Sequence, residues 1–149
     1  MTQMIETNSL SQETIDYITH GLQQQSLMKL YNASVGQLKP GFMELLIPKQ
    51  DALIRKEGFF FGGVTATAID TAAFWAIMTM NNPKDYFVTV ELKVNYLSPA
   101  VGNTLITTSE VVKNGKSLIV CKADSYTETN NERKLVATAL VTLMRVTLQ

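Results

Sequence analysis

One cysteine, Cys121, leaves this chain without a second thiol for an internal disulfide, which removes the disulfide-framework class from consideration. One histidine, His20, stands near the start in a mixture of polar and apolar residues. No serine motif or cysteine nucleophile accompanies it, so a Ser-His-Asp hydrolase or a histidine metal site lacks its parts, and no metal ligand set is expected. Charge of one sign is missing as well: thirteen Lys and Arg balance thirteen Asp and Glu. A neutral chain has no broad field with which to hold nucleic acid or an anionic membrane, so any anion must be met by local groups. No apolar run reaches the roughly 20 residues of a membrane span. The longest, 64–80, is shorter and carries Asp70, which adds a few kcal/mol to insertion. The start Met1-Thr2-Gln3-Met4-Ile5-Glu6 lacks the basic and apolar regions of a signal peptide, and the cytoplasm is the expected compartment. No Pro-, Gly- or Ser-rich linker divides the 149 residues, whose number suits one domain, 1–149.

What the chain does have is Gly58-Phe59-Phe60-Phe61-Gly62-Gly63 running straight into a long apolar helix pattern. From Val64 to Met80 the only charged residue is Asp70. A helix apolar on nearly every face belongs inside a domain, which makes Asp70 buried or pocket-lining. An ionised carboxylate in such surroundings is costly unless compensated, and catalytic bases are found in places of that kind.

The rest reads as one helix and a sheet. Ser11-Gln12-Glu13-Thr14 is a helix start, with Ile15, Ile18 and Leu22 on one stripe that Leu27 and Leu30 extend. Residues 33–38 and 42–47 form a hairpin about Lys39-Pro40-Gly41. Four further strands lie at 87–97, 104–113, 117–128 and 135–148, rich in Val, Ile, Leu, Thr and Tyr. Asn114-Gly115 suits a two-residue turn with positive φ, and Thr129-Asn130-Asn131-Glu132 a looser one. Val88, Val90, Leu92, Val94 and Tyr96 alternate with Thr89, Glu91, Lys93 and Asn95, so one sheet face is apolar. A mainly antiparallel meander with one face to cover, and a helix that needs cover all round, solve one burial problem if the sheet wraps the helix.

Three segments together resemble the hotdog-fold thioesterases of the PaaI-like acyl-CoA group. They are Gly62-Gly63-Val64-Thr65-Ala66-Thr67-Ala68-Ile69-Asp70-Thr71-Ala72, Val90-Glu91-Leu92-Lys93-Val94-Asn95-Tyr96-Leu97-Ser98-Pro99-Ala100, and Lys113-Asn114-Gly115-Lys116-Ser117-Leu118. The resemblance implies an α+β hotdog fold over 33–147, a curved antiparallel β-sheet wrapped around a long central α-helix, with 1–32 as an N-terminal helical extension. It implies hydrolysis of a fatty or aryl acyl-CoA thioester, without a cofactor, in a site shared between subunits of a homodimer or homotetramer. Asp70 matches the family's acidic base or nucleophile, and Gly62 and Gly63 match the helix-start amides that polarise the carbonyl, a role that orphan N–H groups and the helix dipole suit. Thr89 matches a Ser or Thr that relatives supply from the partner subunit beside the attacking water. Tyr96, Ser98 and Pro99, with Lys113, Gly115, Lys116 and Ser117, match the loop and basic hairpin that hold CoA. Phe59, Phe60 and Phe61, with Phe74 and Trp75, are candidate walls for the acyl group.

Two departures stand out. The family usually has His-Gly-Gly where this chain has Phe61-Gly62-Gly63, and Phe61 can neither donate nor accept a hydrogen bond. Arg55 stands where an asparagine is common; turned inward it pairs with Asp70, turned outward it meets a CoA phosphate. A rival reading follows from these departures, a non-catalytic acyl-CoA binding protein of the same fold.

Overall fold

The computed structural model describes residues 10–147. Helix α1, Gln12–Gln24, starts where the sequence signals it: the Ser11 hydroxyl accepts the Thr14 N–H at 3.2 Å, and Ile18 and Leu22 are buried. The stripe does not continue as expected. The chain breaks at Gln25 into the short α2, Ser26–Leu30, which leaves Leu27 and Leu30 exposed and turns Met28 inward instead. Gly21 lets α1 lie close on the central helix, since a Cβ there would sit 2.3 Å from Cη2 of Trp75.

Strands β1, Ser34–Lys39, and β2, Phe42–Pro48, pair across Pro40-Gly41, with Gly41 at φ +72°. A single turn at Asp51–Leu53 leads to α3, Gly62–Met78. Then come β3, Tyr86–Tyr96, β4, Thr104–Asn114, β5, Leu118–Thr129, and β6, Glu132–Val146. The outer end of the last expected strand, at 148, lies outside the described residues. The order across the sheet is β1-β2-β4-β5-β6-β3, every pairing antiparallel. Only β4-β5-β6 is a meander; β3 crosses to the far edge to pair with β6, a non-local partner that local patterns cannot specify.

The two turns exchange their expected characters. Asn130 and Asn131, at φ 51° and 63°, form the tight two-residue turn between the paired Thr129 and Glu132. Gly115, Lys116 and Ser117 separate β4 from β5, and neither Asn114 nor Gly115 has positive φ. Gly115 is needed there for a different reason: a Cβ would lie 2.3 Å from the Leu118 carbonyl oxygen.

Strand β3 also departs from simple alternation. Thr89 pairs with Leu143 and Glu91 with Thr142, so Val90 is the extra residue of a β-bulge. Before the bulge Phe87 and Thr89 face α3; after it Leu92, Val94 and Tyr96 do, while Val90 is exposed and Val88 falls on the other face. Helix α3 packs against β2, β3, β4, β5 and β6, burying Ala68, Ile69, Ala72, Ala73, Ala76 and Ile77. Each large side chain removed from water in this way contributes about 1.5–3 kcal/mol. Cover is not complete: Gly63, Ala66, Thr67, Asp70, Thr71 and Phe74 recur at helical spacing and form a partly open strip along α3.

Candidate functional site

The approach to α3 is fastened on both sides. Ile54 and Phe60 form an isolated bridge, the Phe60 N–H donates to the Ala100 carbonyl at 3.0 Å, and the Phe61 N–H to the Leu53 carbonyl at 3.0 Å. Phe61 is the N-cap residue and offers no side-chain cap; its carbonyl accepts from the Val64 and Thr65 N–H groups. The N–H groups of Gly62 and Gly63 therefore have no partner among the described residues, which is the ordinary condition of a helix start and makes it a donor site.

Neither glycine is demanded by the fold of one chain. Neither has positive φ, a Cβ on Gly63 would meet nothing within 4 Å, and one on Gly62 would make ordinary contact with the Tyr96 ring at 3.4 Å. Tyr96 reaches the same corner by donating its hydroxyl to the Gly62 carbonyl at 2.8 Å.

A cavity of about 370 Å³ opens at this end of α3. The structure brings Arg55, Gly62, Tyr96, Ser98 and Pro99 together in its wall. Thr65 and Val136 also line it and were missed. Thr65 follows Gly62 by three residues on the helix, a readable signal; Val136 arrives only through the pairing of β6 with β3 and had none. The Ser98 hydroxyl donates to the Leu135 carbonyl at 3.2 Å, which fixes the loop after β3. Phe61 is 46% exposed and lies outside this wall, as does Phe74, whose ring meets Trp75 edge-on at 5.0 Å. Arg55 takes the outward orientation, its Nε 3.2 Å from Glu57 and its guanidinium 4.9 Å over the Phe59 ring.

Asp70 sits on the open strip of α3, half-buried rather than enclosed. The Thr89 hydroxyl donates to its Oδ1 at 2.6 Å. The contact lies within one chain, because the β3 bulge turns Thr89 toward α3. It fixes one carboxylate oxygen and leaves Oδ2 for another partner.

Lys113, Gly115, Lys116 and Ser117 are not part of the cavity wall in one chain. Their hairpin lies at the other end of α3, where the Asn81 side chain reaches both the Ile77 carbonyl and Asn114. Seventeen residues of helix separate the two ends by about 25 Å. Burial pushes the Cys121 thiol up to about 11, so it is no nucleophile at neutral pH. Among the described residues no group of three or more His, Cys, Asp or Glu is placed to hold a metal, and no helix is long and apolar enough to cross a membrane.

Residues 57–134 match the family model described as the thioesterase superfamily. A solved thioesterase family protein from Silicibacter pomeroyi is 32% identical, with a TM-score of 0.85 over 89% of this chain and 98% of that one. Acyl-coenzyme A thioesterase 13 of Mus musculus is 32% identical over 55% of this chain and 57% of its own length. The PaaI protein of E. coli, from the phenylacetic acid degradation operon, shares the fold at a TM-score of 0.80 and 19% identity, over 93% of this chain and 97% of its own.

Proposed function

The chain belongs to the hotdog-fold thioesterase superfamily and is a thioester hydrolase, and from that premise we propose that it cleaves the thioester of a fatty or aryl acyl-CoA with Asp70 as general base or nucleophile. One observation carries the reading: the only charged residue of α3 lies on its open strip with one oxygen held by Thr89, while the two amides at the helix start are unpaired. The free Gly62 and Gly63 N–H groups would polarise the substrate carbonyl and stabilise the oxyanion that forms on it. As base, Asp70 takes a proton from water, hydroxide adds to the carbonyl carbon, and collapse breaks the C–S bond, the proton returning to the thiolate. As nucleophile, the Asp70 oxygen adds instead, the adduct collapses to a mixed anhydride with release of the thiolate, and water then cleaves the anhydride to the free acid and the Asp70 carboxylate, its proton neutralising the thiolate.

Gly62 and Asp70 are two helical turns apart, about 12 Å by helical rise, so one carbonyl cannot meet both on the same helix. The reading therefore requires the amides of one copy and the carboxylate of another, which suits a homodimer. The open strip of α3 and the edge position of β3 support this, since a bare edge strand invites pairing. An antiparallel arrangement of two α3 helices would also carry the 113–117 hairpin of one copy toward the cavity of the other, where Arg55 stands at the wall for a CoA phosphate.

The test is thiol release from short, medium, long-chain and aryl acyl-CoAs, run beside Asp70→Asn. That variant should lose turnover by about 10²–10⁴-fold while still binding CoA esters. Full turnover in Asp70→Asn would refute the role of Asp70. Binding without hydrolysis in the wild-type chain would favour the non-catalytic reading that Phe61 raises.

A further inference from the structure

The tip of the β4–β5 hairpin has little apolar burial to hold it. Val112, Lys113, Asn114, Lys116, Ser117 and Leu118 are all exposed. What decides its position is polar, and it converges on Arg145 of β6. The Arg145 backbone N–H donates to the Ser117 carbonyl at 2.8 Å and its Nε to the Lys116 carbonyl at 3.2 Å. Its Nη2 donates to the Asn81 side-chain oxygen at 2.9 Å, and its Nη1 lies 2.6 Å from Asp85 Oδ2. The guanidinium plane rests 4.8 Å over the Phe87 ring. Asp85 in turn accepts the Asn82 N–H, so the loop after α3 is tied into the same knot.

The loop after α3, the start of β3 and the hairpin tip thus meet at one side chain, beside the direct hydrogen bond from Asn81 to Asn114 at 3.3 Å. Only a planar fork with donors in several directions can do this; a lysine has one point of charge. The charge of Arg145 is already met by Asp85, so it is spent on the protein and not offered to an anion. Resting on the reading that Lys113 and Lys116 meet the phosphates of CoA, we infer that Arg145 is the positioning residue that holds this hairpin in place for the nucleotide end of the substrate.

The experiment compares two thioesters of one acyl group, the CoA ester and the N-acetylcysteamine ester, which lacks the nucleotide and its phosphates. Arg145→Gln should raise KM for the CoA ester about tenfold, the equivalent of one charge-assisted hydrogen bond, with kcat unchanged. Its KM and kcat for the truncated ester should stay at the wild-type values. A change of the same size for both esters would mean a general structural role and overturn the proposal, as would no change for either. Asp85→Asn, which loosens the clamp without removing the arginine, should raise KM for the CoA ester in the same direction. A fall in KM would show that the freed guanidinium binds phosphate itself, and would equally overturn the positioning role. Lys113→Ala with Lys116→Ala separates the two layers of argument. If this pair leaves KM for the CoA ester unchanged, the hairpin is no anchor and the inference falls with that reading. If the pair raises KM and Arg145→Gln does not, only the role of Arg145 is refuted.

Discussion

Gly63→Ala should make the folded chain more stable and the enzyme slower. The stability side follows from the empty space around the residue: an added Cβ meets nothing within 4 Å and the backbone is already in a region open to alanine. Alanine is favoured over glycine by about 1 kcal/mol in a helix interior and by about half that in the first turn, where fewer hydrogen bonds depend on the backbone. For a chain of this size that corresponds to a rise in Tm of roughly 1–3 °C. The activity side follows from the proposed site, in which the same space is where a carbonyl approaches the Gly62 and Gly63 N–H groups and where a second copy lies against α3. A methyl group there holds both off by about 1 Å, and a displacement of that size costs about 10²-fold in rate.

Thermal denaturation over a dilution series separates the gain within a chain from any loss of subunit contact, and kcat/KM for an acyl-CoA reads the second effect. Gly62→Ala is the companion: its Cβ would make ordinary contact with the Tyr96 ring, so stability should be near neutral while activity falls. Higher stability with unchanged kcat/KM in both variants would refute the reasoning, because the glycines would then serve neither ligand nor partner.

Thr89→Val keeps the shape of the side chain and removes the donor to Asp70, so kcat should fall about tenfold with little change in KM, as steady-state kinetics would show. Gly21→Ala should destabilise the chain by about 1–3 kcal/mol despite the better helix propensity, because the new Cβ collides with the buried Trp75 ring; chemical denaturation reads the sign. The Arg145 hydrogen bond holds the Asp85 carboxyl below its usual value. A lowered carboxylate contributes fully above its unfolded value and loses that contribution as pH falls through the lowered one. The stability difference between the wild-type chain and Asp85→Asn should therefore be constant near neutrality and vanish in acid, as melting curves across pH would show.

The central helix was legible because its pattern is extreme: a long stretch with Asp70 as its one charge admits few other readings. Ser11 was legible because capping is local, and the strand positions because β-branched runs and turn residues are local too. What escaped was non-local or one residue in size. The bulge at Val90 sits inside Val88, Val90, Leu92 and Val94, a run that reads as unbroken alternation, yet the extra residue decides that Thr89 faces Asp70. Pairing of β3 with β6 brings Val136 to the cavity and leaves β3 on an edge, and no spacing in the chain announces it. Asn114-Gly115 signals backbone freedom in the sequence, whereas the place of Gly115 is explained by how near the Leu118 carbonyl comes. Of the two orientations open to Arg55, the outward one is decided by the Glu57 carboxylate and the Phe59 ring, contacts that no spacing in the chain specifies.

The two-turn separation of Gly62 from Asp70 makes the shared site testable without any knowledge of the substrate's acyl group. If the amides of one copy work with the carboxylate of the other, each site of a two-fold dimer is a hybrid. Asp70→Asn ruins the carboxylate half in its own copy, and Gly63→Ala obstructs the amide half. Each variant alone forms dimers in which both sites are damaged. When the two are unfolded together and refolded, half of the dimers are mixed, and in each of these one site joins an intact amide pair to an intact Asp70 while the other carries both lesions. Activity should return to about a quarter of the wild-type level by random association. If instead the amides and Asp70 of one chain formed a site by some bending of α3, no mixed dimer would hold an intact site, and mixing would restore nothing. Recovery near a quarter would thus assign the two halves to different copies, and its absence would refute the shared site even if Asp70→Asn alone were inactive.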